Sequence, residues 1–192
     1  MLKKTLCTLA LLAPISAANA ALINFEGDIQ YHNDVVTINF TLDNDATDVR
    51  VWTDSFESGT NFDPITALWR ADGTLIEQDD DNPNVDPATQ TYYDSGFTLP
   101  TLAAGDYFFT VATYNNFANG SNITDGFSFD NQTAIALADW DQPANSSDMG
   151  THWSVWLDGV DSATNPNEVP EPSSIALLGL GLLGLARFRK QS

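Results

Sequence analysis

Ile65-Thr66-Ala67-Leu68-Trp69-Arg70-Ala71-Asp72-Gly73-Thr74-Leu75-Ile76-Glu77-Gln78 sets two strand-like runs on either side of Ala71-Asp72-Gly73. Asp-Gly between such runs is a strong hairpin signal, because the tight turn needs positive φ and glycine supplies it without a steric penalty. Similar runs continue outward in both directions. Upstream lie Leu22–Ile29, Val35–Leu42 and Asp48–Thr53, separated by His32-Asn33-Asp34 and Asp43-Asn44-Asp45. Downstream lie Tyr92–Leu99, Gly105–Tyr114, Gly126–Phe129, Ala134–Ala138 and His152–Leu157. Short runs of alternating apolar and polar residues between polar turns read as strands, and no long window outside the two termini carries a 3.6-residue period. The pattern predicts an all-β chain: one antiparallel β-sandwich over residues 21–161, with Trp52, Trp69, Phe97, Tyr107, Phe109, Trp153 and Trp156 mostly in its core. Asn115–Met149, rich in Asn, Gly, Ser and Asp, is expected to form the longest loops.

Composition narrows the chemistry. Five of the seven Lys and Arg (Lys3, Lys4, Arg187, Arg189, Lys190) lie near the termini, leaving Arg50 and Arg70 between. Of the 26 Asp and Glu only Glu171 lies outside residues 21–168, so that stretch carries a formal charge of about −23. Such a surface cannot displace counterions from phosphates, which argues against a nucleic-acid partner. It repels itself unless salt or bound cations compensate. Cys7 is the single cysteine and lies in the N-terminal apolar run, so residues 21–192 hold no thiol for a disulfide, a metal or a nucleophile.

Both ends read as targeting segments. Lys3 and Lys4, the apolar stretch Leu6–Ile15 and the small-residue ending Ala18-Asn19-Ala20 describe a secretory signal peptide over residues 1–20, cleaved after Ala20. Residues 162–168 read as a linker. Then come Val169-Pro170-Glu171-Pro172-Ser173-Ser174, an apolar run over 175–186 expected to be a short transmembrane helix, and Arg187-Phe188-Arg189-Lys190. The run is shorter than the roughly 20 residues of a comfortable span, and the basic cluster should stay cytoplasmic. Proline motif (Pro170, Glu171, Pro172), apolar run and cations (Arg187, Arg189, Lys190), in that order over 169–192, resemble the PEP-CTERM sorting signal of Gram-negative bacteria. The resemblance implies recognition by an exosortase and an inner-membrane-anchored precursor. It further implies a mature protein at the cell surface or in an extracellular exopolysaccharide (biofilm) matrix.

Phe62 to Asp86 is the densest acidic stretch. Carboxylates crowded in this way raise one another's pKa unless a cation neutralises them, and hard oxygen ligands on loops suit Ca²⁺. A solvated acidic turn is the plain alternative. The spacing does not fit a twelve-residue EF-hand loop. Asp63-Pro64, Ala71-Asp72-Gly73-Thr74-Leu75, the Asp79–Asp81 run and Leu102-Ala103-Ala104-Gly105-Asp106-Tyr107 resemble the bacterial pre-peptidase C-terminal domain, a jelly-roll β-sandwich appended to secreted enzymes. Some members bind calcium through the acidic turn and some bind polysaccharide. The resemblance covers Phe62–Val111 and implies Asp63, Asp72, Asp79 and Asp80 as calcium ligands, with Asp81 adjoining. The inserted Asp81–Asp86 and the segment after Tyr114 depart from the family's pattern.

Catalytic signals are sparse. His32 and His152 are the only histidines, and neither has a Gly-x-Ser-x-Gly partner or enough companions for a three-histidine zinc site. The sequence therefore favours a non-catalytic exported surface or matrix component binding calcium and polysaccharide. The alternative is a secreted polysaccharide hydrolase using paired carboxylates.

Overall fold

The computed structural model describes residues 22–142 and 149–166. The expected signal peptide, with Ala18 and Ala20, and the sorting segment with its 175–186 helix lie outside the described residues. Among the described residues no helix is long and apolar enough to cross a membrane.

Alternation of side chains drives the architecture. In β2 (Val35–Leu42), Val36, Ile38, Phe40 and Leu42 are buried while the residues between them are not, as a period of two requires. The other strands are β1 (Ile23–Asp28), β3 (Ala46–Thr53), β4 (Pro64–Arg70), β5 (Leu75–Asp79), β6 (Gly96–Leu102), β7 (Gly105–Thr113), β8 (His152–Asp158) and a short β9 (Ser162–Thr164), with β4 and the end of β7 buried on both faces. Two antiparallel sheets result, ordered β1-β8-β3-β6 and β5-β4-β7-β2-β9. Pairing is nested: β1 with β8, β2 with β7, β3 with β6, β4 with β5. The first four strands thus form a ribbon with the next four, rolled into a sandwich, which is the jelly-roll arrangement. The inner faces meet through Ile38, Phe40, Val51, Leu68, Phe97, Phe109, Val111, Val155 and Leu157, all buried in one cluster. Phe97 and Phe109 meet edge to face across the two sheets at 6.1 Å between centroids.

Three expectations are corrected. The sequence reads residues 162–168 as a linker, but Ser162–Thr164 pairs with Asn39–Thr41 as β9, so the sandwich extends beyond residue 161. Gly126–Phe129 and Ala134–Ala138 carry strand-like residues yet belong to turns, with a short 3-10 segment at Leu137–Asp139. Their apolar side chains cover ground already made by the sheets: Phe127 packs with Trp69 on the outer face of β4. Trp52 and Trp156 are also off the inner core. They stack at 6.3 Å on the outer face of β3 and β8, where the Trp52 indole N–H donates to Thr89 of the β5–β6 loop.

The connections divide by length. Residues 43–45, 71–74, 103–104 and 159–161 make short turns at one end of the sandwich. The β4–β5 turn is the Asp-Gly hairpin expected from the sequence, with Gly73 at φ +86°. Residues 29–34, 54–63, 80–95 and the described parts of the β7–β8 connection, 114–142 and 149–151, emerge at the other end. Binding and catalytic groups concentrate on loops carried by a rigid scaffold, so this end is where function is to be sought.

Candidate metal centre

Asp63 stands immediately before β4, and Asp80 and Asp81 follow immediately after β5. Because β4 and β5 are hairpin partners, with Thr66 opposite Asp79, folding about Ala71-Asp72-Gly73 returns Asp80 and Asp81 to the side of Asp63. One carboxylate oxygen from each lies within 4.8 Å of the others. Ca²⁺–oxygen distances of roughly 2.3–2.6 Å place ligands on opposite sides of an ion about 5 Å apart, so the spread suits one ion among three carboxylates.

Asp63 is held rigidly. It is 2% exposed, its backbone N–H donates to Gln142 Oε1 at 3.1 Å, and its carbonyl accepts from the Tyr114 N–H at 2.8 Å. Its Oδ1 nevertheless has no hydrogen-bond partner, nor has the buried Oδ1 of Asp80. Buried carboxylate oxygens without donors are rare because desolvation is uncompensated. Asp54 Oδ1 and Ser55 Oγ, on the loop leading to Asp63, are orphaned in the same way.

Electrostatics agree with the geometry. Burial pushes the Asp63 carboxyl up to about 8, helped by the charges of Asp80, Asp81 and Asp94. Burial, then Asp81 and Asp79, raises Asp80 to about 6, and Asp81 is raised by burial and Asp79. Among the described residues no cation relieves this crowding. Arg50 is committed to Asp158 at 2.6 Å and to the face of Trp52 at 5.0 Å, while Arg70 is exposed at the opposite end of β4.

The other residues singled out in the sequence fall elsewhere. Asp72 sits exposed in the β4–β5 turn, where its Oδ1 accepts from the Thr74 N–H at 2.9 Å. A strand of seven residues separates it from Asp63, roughly 20 Å, too far for a shared ion. Asp79 is near, but its Oδ2 accepts from the Gly96 N–H at 3.3 Å. Asp94, which sequence reasoning passed over, is the post behind the cluster. Its carboxylate accepts from the N–H groups of Phe56 and Thr91 and the hydroxyls of Thr53 and Thr91, tying the β3–β4 and β5–β6 loops together. The register would have found Asp80 and Asp81 near Asp63, since Thr66 pairs with Asp79 and all three carboxylates follow at the open end of that hairpin. Nothing local marks Asp94.

Neither histidine joins the site. His32 is fully buried between Phe129 and Trp140; its Nδ1 accepts from the Ile135 N–H, so the proton is on Nε2, which donates to Gln132 Oε1 at 3.0 Å. It pins the β1–β2 loop to the β7–β8 connection.

Residues 168–190 match the PEP-CTERM protein-sorting motif. No curated protein matches the chain. The motif marks an exported chain sorted by an exosortase, membrane-anchored as a precursor and then delivered to the cell surface.

Proposed function

We infer that this exported, exosortase-sorted chain is a non-catalytic surface module whose loop end is clamped by a calcium ion held between Asp63, Asp80 and Asp81. One observation carries the reading: Asp63 is a wholly buried carboxylate with an unpartnered oxygen, clustered within 4.8 Å of two further carboxylates and with no cation of the described residues beside them. An ionised carboxyl in that position is strongly disfavoured without a counter-charge, and a divalent ion supplies it together with the missing oxygen contacts. The bound ion would join the start of β4 to the end of β5 and fix the 80–95 loop. The resemblance of Phe62–Val111 to the pre-peptidase C-terminal domain points the same way.

The setting that fits is the surface or exopolysaccharide matrix of a Gram-negative bacterium. Tyr92, 55% exposed on the 80–95 loop and edge-on to Tyr93, offers an aromatic face to a sugar ring. The hydrolase alternative finds less support. Glycosidase carboxyl pairs stand roughly 5–9.5 Å apart with substrate between them, whereas these oxygens crowd within 4.8 Å around a buried member.

Thermal unfolding with millimolar Ca²⁺ and with chelator tests the reading. At a hundredfold excess over Kd, binding to the native state adds about 2.7 kcal/mol, or roughly 5–11 °C in Tm for a domain of this size. An unchanged melting curve removes the ion. Release of reducing ends from extracellular polysaccharide would replace the binding module with a hydrolase.

A further inference from the structure

A cleft of about 440 Å³ opens at the loop end on the side of the sandwich away from the metal centre, lined by residues 26–30 and 34–36 with Trp153 and Asn165. Its volume falls in the roughly 300–1,000 Å³ of ligand sites. Among the described residues, two strand edges face the cleft without neighbours. β1 is the outermost described strand of its sheet, and the described strand it bonds to is β8. β9 covers β2 only from Asn39 to Thr41, leaving the edge of β2 at Val35 and Val36 uncovered by any described strand. Trp153 forms the floor: it lies opposite Gly27, where any side chain would come within 3.0 Å of the indole.

The ladder determines which backbone groups are free. Just beyond β1, Ile29 N–H donates to Thr151 O, so Gly27, Phe25 and Ile23 are the residues of β1 that exchange hydrogen bonds with β8. The N–H and C=O groups of Asn24, Glu26 and Asp28 therefore point away from β8, and they bond to no described residue. The side chains of Glu26 and Asp28 are exposed, and Asp34 adds a third carboxylate at the rim. Two of these have structural duties: Asp34 Oδ2 accepts from the N–H groups of Gln30 and Tyr31, and Asp28 Oδ1 accepts from Thr151. Among the described residues Glu26 meets His152, at 3.9 Å.

We propose that this cleft is a peptide-docking site, in which an extended basic segment of a partner protein adds as a strand to the free edge of β1 along Asn24–Asp28. The backbone ladder supplies affinity, as in strand-addition complexes generally. Glu26 and Asp28 select lysine or arginine at the opposing positions of the added strand, where opposite charges stabilise the pair. The same carboxylates repel a second copy of this chain, whose edge is equally acidic. The site is independent of the metal centre.

The full chain is titrated with an acetylated decapeptide of alternating Lys and Val, followed calorimetrically and by amide hydrogen exchange. Saturable binding at low ionic strength is expected, with slowed exchange confined to Asn24–Asp28. The Glu-Val counterpart should not bind, and methylation of alternate peptide nitrogens should abolish binding. The combination Glu26→Lys and Asp28→Asn, both at exposed positions, should weaken the Lys-Val peptide at least tenfold while the melting temperature verifies folding. Equal binding of the methylated peptide, or of a glucosamine oligomer with the same charge and no amide backbone, overturns strand addition. So does protection that falls elsewhere, or the absence of saturation.

Discussion

Replacing Asp63 with asparagine separates the metal from the carboxyl group that needs it. In the metal-free protein the folded-state pKa of Asp63 is about 8 against 3.8 for the unconstrained group. The folded state therefore holds the proton more tightly than the unfolded chain. Its contribution to stability is fully present below about pH 4 and is lost as pH rises towards 8. At about 1.4 kcal/mol per pH unit, the metal-free wild type should lose about 3 kcal/mol between pH 5 and 7.5 from this group alone. That corresponds to roughly 6–12 °C in Tm. Asparagine mimics the protonated acid in shape and cannot ionise. The variant should show only the shallower decline due to Asp80, whose pKa is about 6, and to Asp79, Asp81 and Asp94, whose carboxyls burial also raises, and should melt above metal-free wild type at pH 7.5. With calcium the order should reverse, since the wild type gains the ion's stabilisation and the variant loses a ligand. Differential scanning calorimetry over pH 5–8, with chelator and with calcium, measures all four curves. A variant that keeps the full calcium increment, or a metal-free wild type with no decline over that range, refutes the electrostatic account.

Asp72→Asn should leave the calcium increment unchanged, because the turn that holds it is a strand length from the ion; loss of the increment in a calcium titration would put Asp72 back among the ligands. Gly96→Ala should be severely destabilising in chemical denaturation, by about 3 kcal/mol or more, because φ is +154° there and a Cβ would overlap the Val51 carbonyl. Phe109→Ala, which empties the contact between the two sheets, should lose about 3–5 kcal/mol in the same assay. Replacing Pro170, Glu171 and Pro172 with alanine should leave uncut precursor in the membrane fraction on immunoblotting, and normal processing would contradict exosortase recognition.

The scaffold was legible wherever a strand has one dry face and one wet one. Val35–Leu42 and His152–Leu157 announce themselves by period two, and Asp72-Gly73 announces its turn. Reading failed where long loops supply a second dry layer. Phe127 and Leu137 look like strand residues because they are apolar, yet what they meet is the outer side of a finished sheet or the rim of the core, and only tertiary structure distinguishes the two. β9 went unseen because three residues, Ser162–Thr164, carry no period. In the acidic stretch the sequence shows which carboxylates are dense but not which are dry. Asp63 and Asp72 look alike on paper; one is buried against Tyr114 and Gln142 and the other faces water.

The nested pairing has a temporal side. Ile23 of the first strand finds its partner in Leu157, so the β1–β8 seam at the edge of the first sheet cannot close until nearly the whole domain is available. A polypeptide delivered N-terminus first, from a ribosome or through an export channel, must wait with β1, β2 and β3 unmatched while β6, β7 and β8 are still to come. Late closure keeps such a chain threadable during passage, and it makes the interval before residue 158 emerges the moment of greatest exposure to aggregation.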